Sequence, residues 1–255
     1  MLPYQEIFAL ATIRCRDKTF ENIQAVLFDK DGTLANSESF LKSVGQKRSR
    51  LVDAKIPGVQ EPLLMAFGLE GDQLNPAGLL AVASRRDAEI AAAAYIAETG
   101  RNWVEALEIA ATAFAEADQY LKRKADHTPL FQGGLSLVES LAAANLKLGI
   151  LSSDTTANVQ DFIQKYGLAQ IQLPMGTDAG LSKPDPLLFQ QACSALEVLP
   201  AATLMIGDSQ ADAVMARAAG AGGCVGVTWG WSSLVHLMNV DVVVDRFEEI
   251  QVLSS

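Results

Sequence analysis

Cysteine is scarce in this chain, which has three among 255 residues. So small and odd a number cannot build a disulfide framework, and no two cysteines have the CxxC spacing of a zinc or redox site. The first twenty residues also lack a basic start followed by an apolar run, so no secretory signal is expected. A reducing compartment fits best, and we predict a cytoplasmic protein.

Long apolar runs and excess positive charge are missing as well. The longest stretch without Asp, Glu, Lys or Arg, residues 218–240, contains five glycines, which a membrane helix tolerates poorly. The 20 Lys and Arg residues face 30 Asp and Glu residues, for a net charge of -10. Binding to a phosphate backbone needs a clustered basic surface, which this sequence does not have. We therefore expect neither a membrane nor a nucleic acid as partner.

Hydrophobic residues make up 49% of the chain, enough to bury a large core and to exclude a disordered protein. Six short apolar runs bounded by turn residues recur along the sequence, with amphipathic segments between them. They cover residues 25–28, 146–151, 171–174, 203–206, 223–227 and 240–244. Near-continuous apolar strands that alternate with helices are typical of a parallel sheet covered on both faces. The sequence predicts an α/β fold with a doubly wound, mostly parallel sheet.

One long segment interrupts this alternation after the first strand. Residues 81–118 hold fourteen alanines, one glycine and no proline, a composition that favours helix. We predict an inserted all-helical domain over residues 37–127 and an α/β core formed by 1–36 and 128–255. Within the insertion, Gly100 is expected to end one helix and Asn102 to cap the next, with loops at 57–62 and 68–76.

Polar residues follow four of the predicted strands, at or shortly after the point where each strand ends. In chain order they are Asp29, Asp31, Ser152, Ser153, Lys183, Asp208 and Asp212. Each one alone is explained by a turn or a helix cap. Because ligands of open α/β sheets bind at the carboxyl ends of the strands, the whole set indicates one functional site.

The residue types at these strand ends indicate phosphoryl chemistry. Carboxylates that converge repel one another unless a cation lies among them, and oxygen ligands without His or Cys favour Mg²⁺. The Ser152 hydroxyl and the Lys183 ammonium group are suited to hold phosphoryl oxygens. One of the aspartates then attacks phosphorus, a known form of covalent catalysis. We predict a small phosphorylated metabolite as the substrate.

At these positions the chain resembles the haloacid dehalogenase-like superfamily, in its phosphoglycolate phosphatase-like branch with a helical cap. The four motifs of that superfamily occur in order, and the resemblance covers residues of about 23–36 and 128–245. They are Asp29-Lys-Asp-Gly-Thr-Leu34, then Ser152, then Lys183 in Lys-Pro-Asp-Pro, and finally Gly207-Asp208-Ser209 through Asp212. The insertion after the first motif is similar to the mobile cap of that branch.

The resemblance implies a Rossmann-like core and a role for each motif. Asp29 is implied as the nucleophile and Asp31 as the general acid and base. Mg²⁺ is implied to lie between the Asp29 carboxylate, the Asp31 backbone carbonyl and Asp208, with Asp212 supporting the fourth motif. We further expect the phosphate to be bound by Gly32, Thr33, Ser152, Ser153 and Lys183.

The sequence leaves two alternatives to a phosphatase open. A phosphomutase of the same superfamily keeps both aspartates of the first motif and differs mainly in its cap. A phospho-receiver signalling domain is also doubly wound and acidic, but its phosphoacceptor follows the third strand and it lacks the long insertion. Asp31 argues against a dehalogenase, because halide departure needs no proton from it. The oligomeric state is left open between monomer and homodimer.

Overall fold

The computed structural model describes residues 10–121, 123–178, 180–235 and 237–253. The strands are β1 (Ala11–Cys15), β2 (Lys18–Ile23), β3 (Ala25–Phe28), β4 (Leu69–Glu70), β5 (Gln73–Leu74), β6 (Lys147–Leu151), β7 (Leu173–Met175), β8 (Thr203–Gly207), β9 (Gly223–Val227), β10 (Val242–Val244) and β11 (Ile250–Leu253). The α-helices are α1 (Glu38–Lys55), α2 (Gln60–Phe67), α3 (Leu79–Val82), α4 (Arg85–Glu98), α5 (Trp103–Tyr120), α6 (Gly134–Ala143), α7 (Thr156–Tyr166), α8 (Pro186–Ala195) and α9 (Gln210–Ala219). No helix in these ranges is long and apolar enough to cross a membrane.

A six-stranded sheet forms the centre of the molecule, with the order β10-β9-β8-β3-β6-β7. Every neighbouring pair in this sheet is parallel. The predicted α/β fold with a doubly wound parallel sheet is confirmed, and each of the six predicted apolar runs overlaps one of its strands. Because β3 lies between β6 and β8, the residues that follow these three strands meet at the same edge.

Strand β3 shows why the sheet strands read as continuous apolar runs. Val26 and Phe28 pack into the cluster on one face of the sheet, while Ala25 and Leu27 pack into the cluster on the other. All four side chains are buried. Successive residues of a strand point to opposite faces, so a strand covered by helices on both faces needs an apolar residue at every position.

Helices α1 to α5 surround an apolar cluster of their own, which includes Leu63, Phe67 and Phe114. Gly100 has a positive φ of 96° after α4, and the Asn102 side chain caps α5, as expected. The boundaries of this unit at residues 37 and 127 stay a prediction.

Two expectations about the insertion were wrong. It is not all-helical, because β4 and β5 pair as a hairpin whose turn contains Gly71 at a φ of 58°. Each of these strands has only two residues, which is too short for an alternating pattern to be visible in the sequence. The expected loop at 57–62 gives way to α2 from Gln60, since Pro62 lies in the first helical turn, where a backbone N–H has no helical partner.

A second, antiparallel sheet has the order β11-β1-β2 and joins both ends of the described chain. Ile13, Cys15, Phe20 and Ile250 from this sheet are buried in the same apolar cluster as one face of the central sheet. Residues 11–23 therefore form a hairpin that packs against the core, whereas residues 1–9 lie outside the described ranges.

The Asn102 cap allows a test of the local structure of α5. The Asn102 Oδ1 atom accepts a hydrogen bond of 3.0 Å from the Glu105 backbone N–H. Replacing Asn102 by Ala should lower the free energy of unfolding by about 1 kcal/mol, whereas Asn102→Ser, which keeps an acceptor, should cost much less. Urea unfolding followed by circular dichroism measures both. Equal losses from the two variants would contradict the capping role.

Candidate active site

Asp29 lies at the carboxyl end of β3, where its backbone N–H donates to the Ile206 carbonyl of β8 at 2.8 Å. A tight turn follows, in which the Lys30 carbonyl accepts hydrogen bonds from the backbone of Leu34 and Ala35. Gly32 has a φ of 87°, and a Cβ atom there would lie 2.5 Å from an Asp208 carboxylate oxygen. Only glycine fits this turn, because it must take a left-handed conformation against another side chain.

Three carboxylates meet behind this turn. One oxygen from each of Asp29, Asp208 and Asp212 lies within 4.8 Å of the others, and all three residues are buried. The buried Lys183 ammonium group lies 2.7 Å from Asp29 Oδ1 and 2.7 Å from Asp212 Oδ1. Two acidic motifs and the lysine motif, widely separated in the chain, are therefore in direct contact.

The carboxylate pKa values respond to this crowding. Burial outweighs the attraction of Lys183 and raises the pKa of Asp29 to about 6. Burial also raises the pKa of Asp208 well above its ordinary value, and the negative charges of Asp29 and Asp212 add to the effect. The fully ionised cluster would have three negative charges and one positive charge, an excess that one divalent cation would neutralise.

The donor set fits Mg²⁺. Carboxylate oxygens are the ligands preferred by this hard cation, and the cluster contains neither His nor Cys. The Asp29 and Asp208 carboxylates are available to hold the ion, together with the Asp31 backbone carbonyl that the sequence suggested. Both oxygens of Asp212 already have partners. Its Oδ1 lies 2.7 Å from Lys183 Nζ, and its Oδ2 accepts a hydrogen bond from the Ser209 hydroxyl at 2.6 Å. Asp212 thus caps the start of α9 together with Ser209.

Trp231 is a site residue that the sequence did not identify. Its indole N–H donates to Asp208 Oδ2 at 2.6 Å, and the Thr33 hydroxyl donates to Asp208 Oδ1 at 2.7 Å. Trp229 donates to the Thr33 backbone carbonyl at 2.9 Å. These bonds fix the orientation of the Asp208 carboxylate. The only available signal was the position of both tryptophans just after β9, at the active edge of the sheet.

The Asp31 carboxylate lies apart from the three-carboxylate cluster and is held by two lysines. Lys30 Nζ is 2.7 Å from Asp31 Oδ1, and Lys124 Nζ is 2.8 Å from Asp31 Oδ2. Both ammonium groups also contact Asp154 Oδ2, at 3.1 and 2.7 Å respectively. The Ser37 hydroxyl donates to Asp31 as well. The sequence identified neither Lys124 nor Asp154 as a partner of Asp31.

This network sets the charge of Asp31. Burial alone would raise the pKa of Asp31, but Lys124 and Lys30 outweigh it and hold that pKa below its ordinary value. Burial acts on Asp154 in the same direction and is likewise outweighed by the two lysines, so the pKa of Asp154 is also lowered. Asp29 and Asp31, two residues apart, therefore have carboxyl pKa values shifted in opposite directions.

The expected phosphate-binding residues fall into two groups: three line a cavity, and two are hydrogen-bonded within the protein. Ser152, Ser153 and Lys183 line a cavity together with Asp29 and Asp31. Gly32 and Thr33 are used within the protein, since the Gly32 N–H donates to the Ala35 carbonyl at 2.9 Å and the Thr33 hydroxyl to Asp208. The Ser153 hydroxyl donates to the Val82 carbonyl at 3.0 Å. Gly32 thus shapes the turn and Thr33 orients Asp208, so these two donors are already used within the protein.

The cavity has a volume of about 690 Å³ and lies between the sheet edge and the inserted helices. Arg48, Arg85 and Asp118 also line it. The Ser153 hydroxyl donates to the Val82 carbonyl of the insertion, and Lys124 reaches Asp31 from the segment where the chain returns to the core. Residues of the insertion therefore contribute a large part of the cavity wall.

Comparisons with known proteins identify the family of this chain. The haloacid dehalogenase-like hydrolase family matches residues 23–220. An N-acetylmuramic acid 6-phosphate phosphatase of Pseudomonas putida is 28% identical over 200 residues, which cover 78% of this chain and 80% of that protein. A phosphoglycolate phosphatase of Neisseria gonorrhoeae is 27% identical over 232 residues, or 87% of this chain and 86% of that protein. The crystal structure of a predicted phosphoglycolate phosphatase from Haemophilus somnus has a similar fold, with a TM-score of 0.66 at 20% identity, covering 88% of this chain and 95% of that one.

The raised pKa values of Asp29 and Asp208 predict a pH-dependent response to Mg²⁺. A carboxyl group with a raised pKa stabilises the metal-free fold at low pH, and this stability is lost as the pH rises from about 4 to about 6. Magnesium competes with those protons, so it should raise the Tm little near pH 5 and clearly more near pH 7.5. Calorimetry with and without MgCl₂ measures both shifts.

The control for this experiment is Asp208→Asn, which removes one expected ligand and should abolish most of the Mg²⁺ response near pH 7.5. Equal Tm shifts at both pH values, or an undiminished shift in Asp208→Asn, would contradict binding at this cluster.

Proposed function

The chain belongs to the haloacid dehalogenase-like hydrolases, and we propose that this phosphoric monoester hydrolase uses Mg²⁺ to hydrolyse a small phosphorylated metabolite through a phosphoryl intermediate on Asp29. One observation carries the proposal. Asp29 is both a member of the buried carboxylate cluster and a wall residue of the cavity, so it can meet a cation and a substrate at once. When bound, Mg²⁺ supplies positive charge that offsets the carboxylates and the phosphoryl oxygens.

Asp29 is suited to act as the nucleophile. Its ionised oxygen attacks phosphorus, the bond from phosphorus to the leaving oxygen breaks, and a phosphoaspartate forms. Water then attacks the same phosphorus and returns Asp29 as a carboxylate. Lys183, at 2.7 Å from Asp29 Oδ1, favours the charged form of the nucleophile and lies beside the atom that would receive the phosphoryl group.

Asp31 is suited to the proton transfers. The two lysines hold it as a carboxylate, which is the form that takes a proton from the attacking water. Donation to the leaving oxygen in the first step requires Asp31 to carry that proton, so it must exchange at least one lysine partner during the cycle. Lys124 is the candidate partner, because it belongs to the segment that returns from the insertion.

The two alternatives to a phosphatase, a receiver domain and a phosphomutase, have different outcomes. The family match and the phosphatase relatives show an enzyme, so the receiver-domain interpretation is wrong. In the described residues, no observation favours a phosphomutase over a phosphatase. The relatives' names give two different leaving groups, so they do not fix the substrate of this chain. A cytoplasmic location, a monomer or homodimer, and the absence of nucleic-acid and membrane partners stay predictions.

The two aspartates of the first motif should give different intermediates. Asp29→Asn removes the nucleophile, so no phosphoenzyme can form. Asp31→Asn keeps the nucleophile but lacks the base for the second step, so an ester with a good leaving group, such as p-nitrophenyl phosphate, should phosphorylate Asp29 and then stall. Intact-mass measurement soon after mixing should show one added phosphoryl group in Asp31→Asn and none in Asp29→Asn.

Full turnover by Asp29→Asn, with mass spectrometry excluding deamidation back to Asp, would remove the covalent mechanism.

Lys183 should affect the rate more than substrate binding. Its ammonium group acts on charge that develops as the phosphoryl group is transferred, so Lys183→Ala should lower kcat by about 10²- to 10³-fold with a smaller change in KM. Lys165→Ala is the matched control, since Lys165 pairs with Asp126 on the surface. Steady-state kinetics on protein with a checked circular dichroism spectrum measures both. An increase in KM alone would assign Lys183 to ground-state binding instead.

A further inference from the structure

Arg48 is a buried cation with few partners. It lies on α1, is 8% exposed, and stacks on the Phe114 ring with its guanidinium carbon 4.6 Å from the ring centre. One nitrogen donates to Asp118 Oδ1 at 3.2 Å, and among the described residues its Nε finds no acceptor. A buried guanidinium group with so few acceptors is costly for folding alone. Arg48 also lines the cavity that contains Asp29.

Arg85 stands beside Arg48 on the same cavity wall. Its Nε donates to Asp118 Oδ2 at 2.9 Å, so the two oxygens of one carboxylate bind two guanidinium groups from different helices. Arg85 also donates to Glu89 at 2.7 Å, and Arg86 donates to Glu89 at 2.5 Å. Asp118 and Glu89 hold these arginines in place without giving each donor a partner of its own.

The charge of this cluster selects the kind of ligand. The cluster has three positive charges and two negative charges, which leaves one net positive charge beside the cavity. The cations are Arg48, Arg85 and Arg86, and the anions are Glu89 and Asp118. That charge complements a single negative charge better than the nearly double charge of a second phosphate. The planar guanidinium fork also matches a carboxylate with two parallel hydrogen bonds.

The size of the cavity also limits the ligand. At about 690 Å³ it lies in the middle of the range of roughly 300–1,000 Å³ that is usual for small-molecule sites. A two-carbon acid such as glycolate would leave most of this volume filled with water. The cavity wall also contains the polar side chains of Thr155, Asn158 and Asp178, which suit a hydroxylated chain.

We propose that Arg48 and Arg85 bind a carboxylate on the leaving group, so that the substrate is a phosphate monoester of a hydroxylated acid longer than glycolate. The phosphoryl group lies at Asp29, and the carboxylate end reaches the arginine pair across the cavity. This assignment rests on the proposed phosphatase function and gives that function a substrate class.

Matched pairs of substrates test the proposal. 6-Phosphogluconate and sorbitol 6-phosphate differ only in a terminal carboxylate against a hydroxymethyl group, and 3-phosphoglycerate and glycerol 3-phosphate form a shorter pair. With Mg²⁺ present, kcat/KM should be at least about tenfold higher for the acid in the longer pair, the value of one charge-assisted hydrogen bond. Absence of an acid preference in both pairs would overturn the proposal.

Variants then assign the preference to residues. Arg48→Gln should reduce the acid-to-alcohol ratio of kcat/KM by about tenfold, and Arg85→Gln should reduce it in the same direction. Arg50→Gln is the matched control, because Arg50 is exposed on the same helix, and it should leave the ratio as in the parent protein. If Arg48→Gln does not fold, the Arg85→Gln ratio decides. An unchanged ratio in Arg85→Gln and in any folded Arg48→Gln protein would overturn the assignment.

A binding measurement separates this subsite from the chemistry. Calorimetry on Asp29→Asn protein, which should not turn substrate over, should show tighter binding of 6-phosphogluconate than of sorbitol 6-phosphate. Equal affinities there would overturn the subsite even if the protein is an active phosphatase. Failure of the parent protein to hydrolyse p-nitrophenyl phosphate with Mg²⁺ would instead overturn the proposed function, with the binding preference still measurable.

Discussion

Three buried carboxylates share a single ammonium group in this protein, and the rest of the active site is arranged around that imbalance. Asp29, Asp208 and Asp212 come together because the parallel sheet brings the ends of β3 and β8 to one edge. Lys183 compensates one charge, and hydrogen bonds from Thr33 and Trp231 orient Asp208 without neutralising it. Burying three carboxylates with only one ammonium group is costly for folding. A bound cation would offset the excess negative charge and so stabilise the cluster.

The fold and the candidate site residues at the ends of the strands could be predicted from the sequence, because the patterns that indicate them lie within short stretches of the chain. Residues 25–28 are apolar at every position, and Asp29 follows directly, so strand and site come from one short stretch. Other features depend on distant partners. Lys124 meets Asp31 across 93 positions, and Trp231 meets Asp208 from the loop after β9. No periodicity or spacing indicates such pairs. The β4-β5 hairpin was missed for the opposite reason, since it is too short to carry a pattern.

The two aspartates of the first motif lie in one turn but in different electrostatic environments. Asp29 faces the acidic cluster, and burial raises its pKa, whereas Asp31 faces two lysines, and its pKa is lowered. The opposite environments follow from different partners, since Asp29 contacts Lys183 of the carboxylate cluster and Asp31 contacts Lys30 and Lys124. Arg48 and Asp118 form a second charged contact on the cavity wall. In the proposed function, the core handles the phosphoryl group and the inserted helices face the remainder of the substrate.

The most direct test of the central claim is to locate a cation in a crystal. Mn²⁺ is a suitable replacement for Mg²⁺ at an oxygen-only site, and its anomalous scattering identifies the element as well as the position. Diffraction data collected at the manganese absorption edge should show one strong peak bounded by the Asp29 carboxylate, the Asp208 carboxylate and the Asp31 backbone carbonyl. A fully loaded crystal with no peak there, or with manganese only on exposed acidic side chains, would contradict the account.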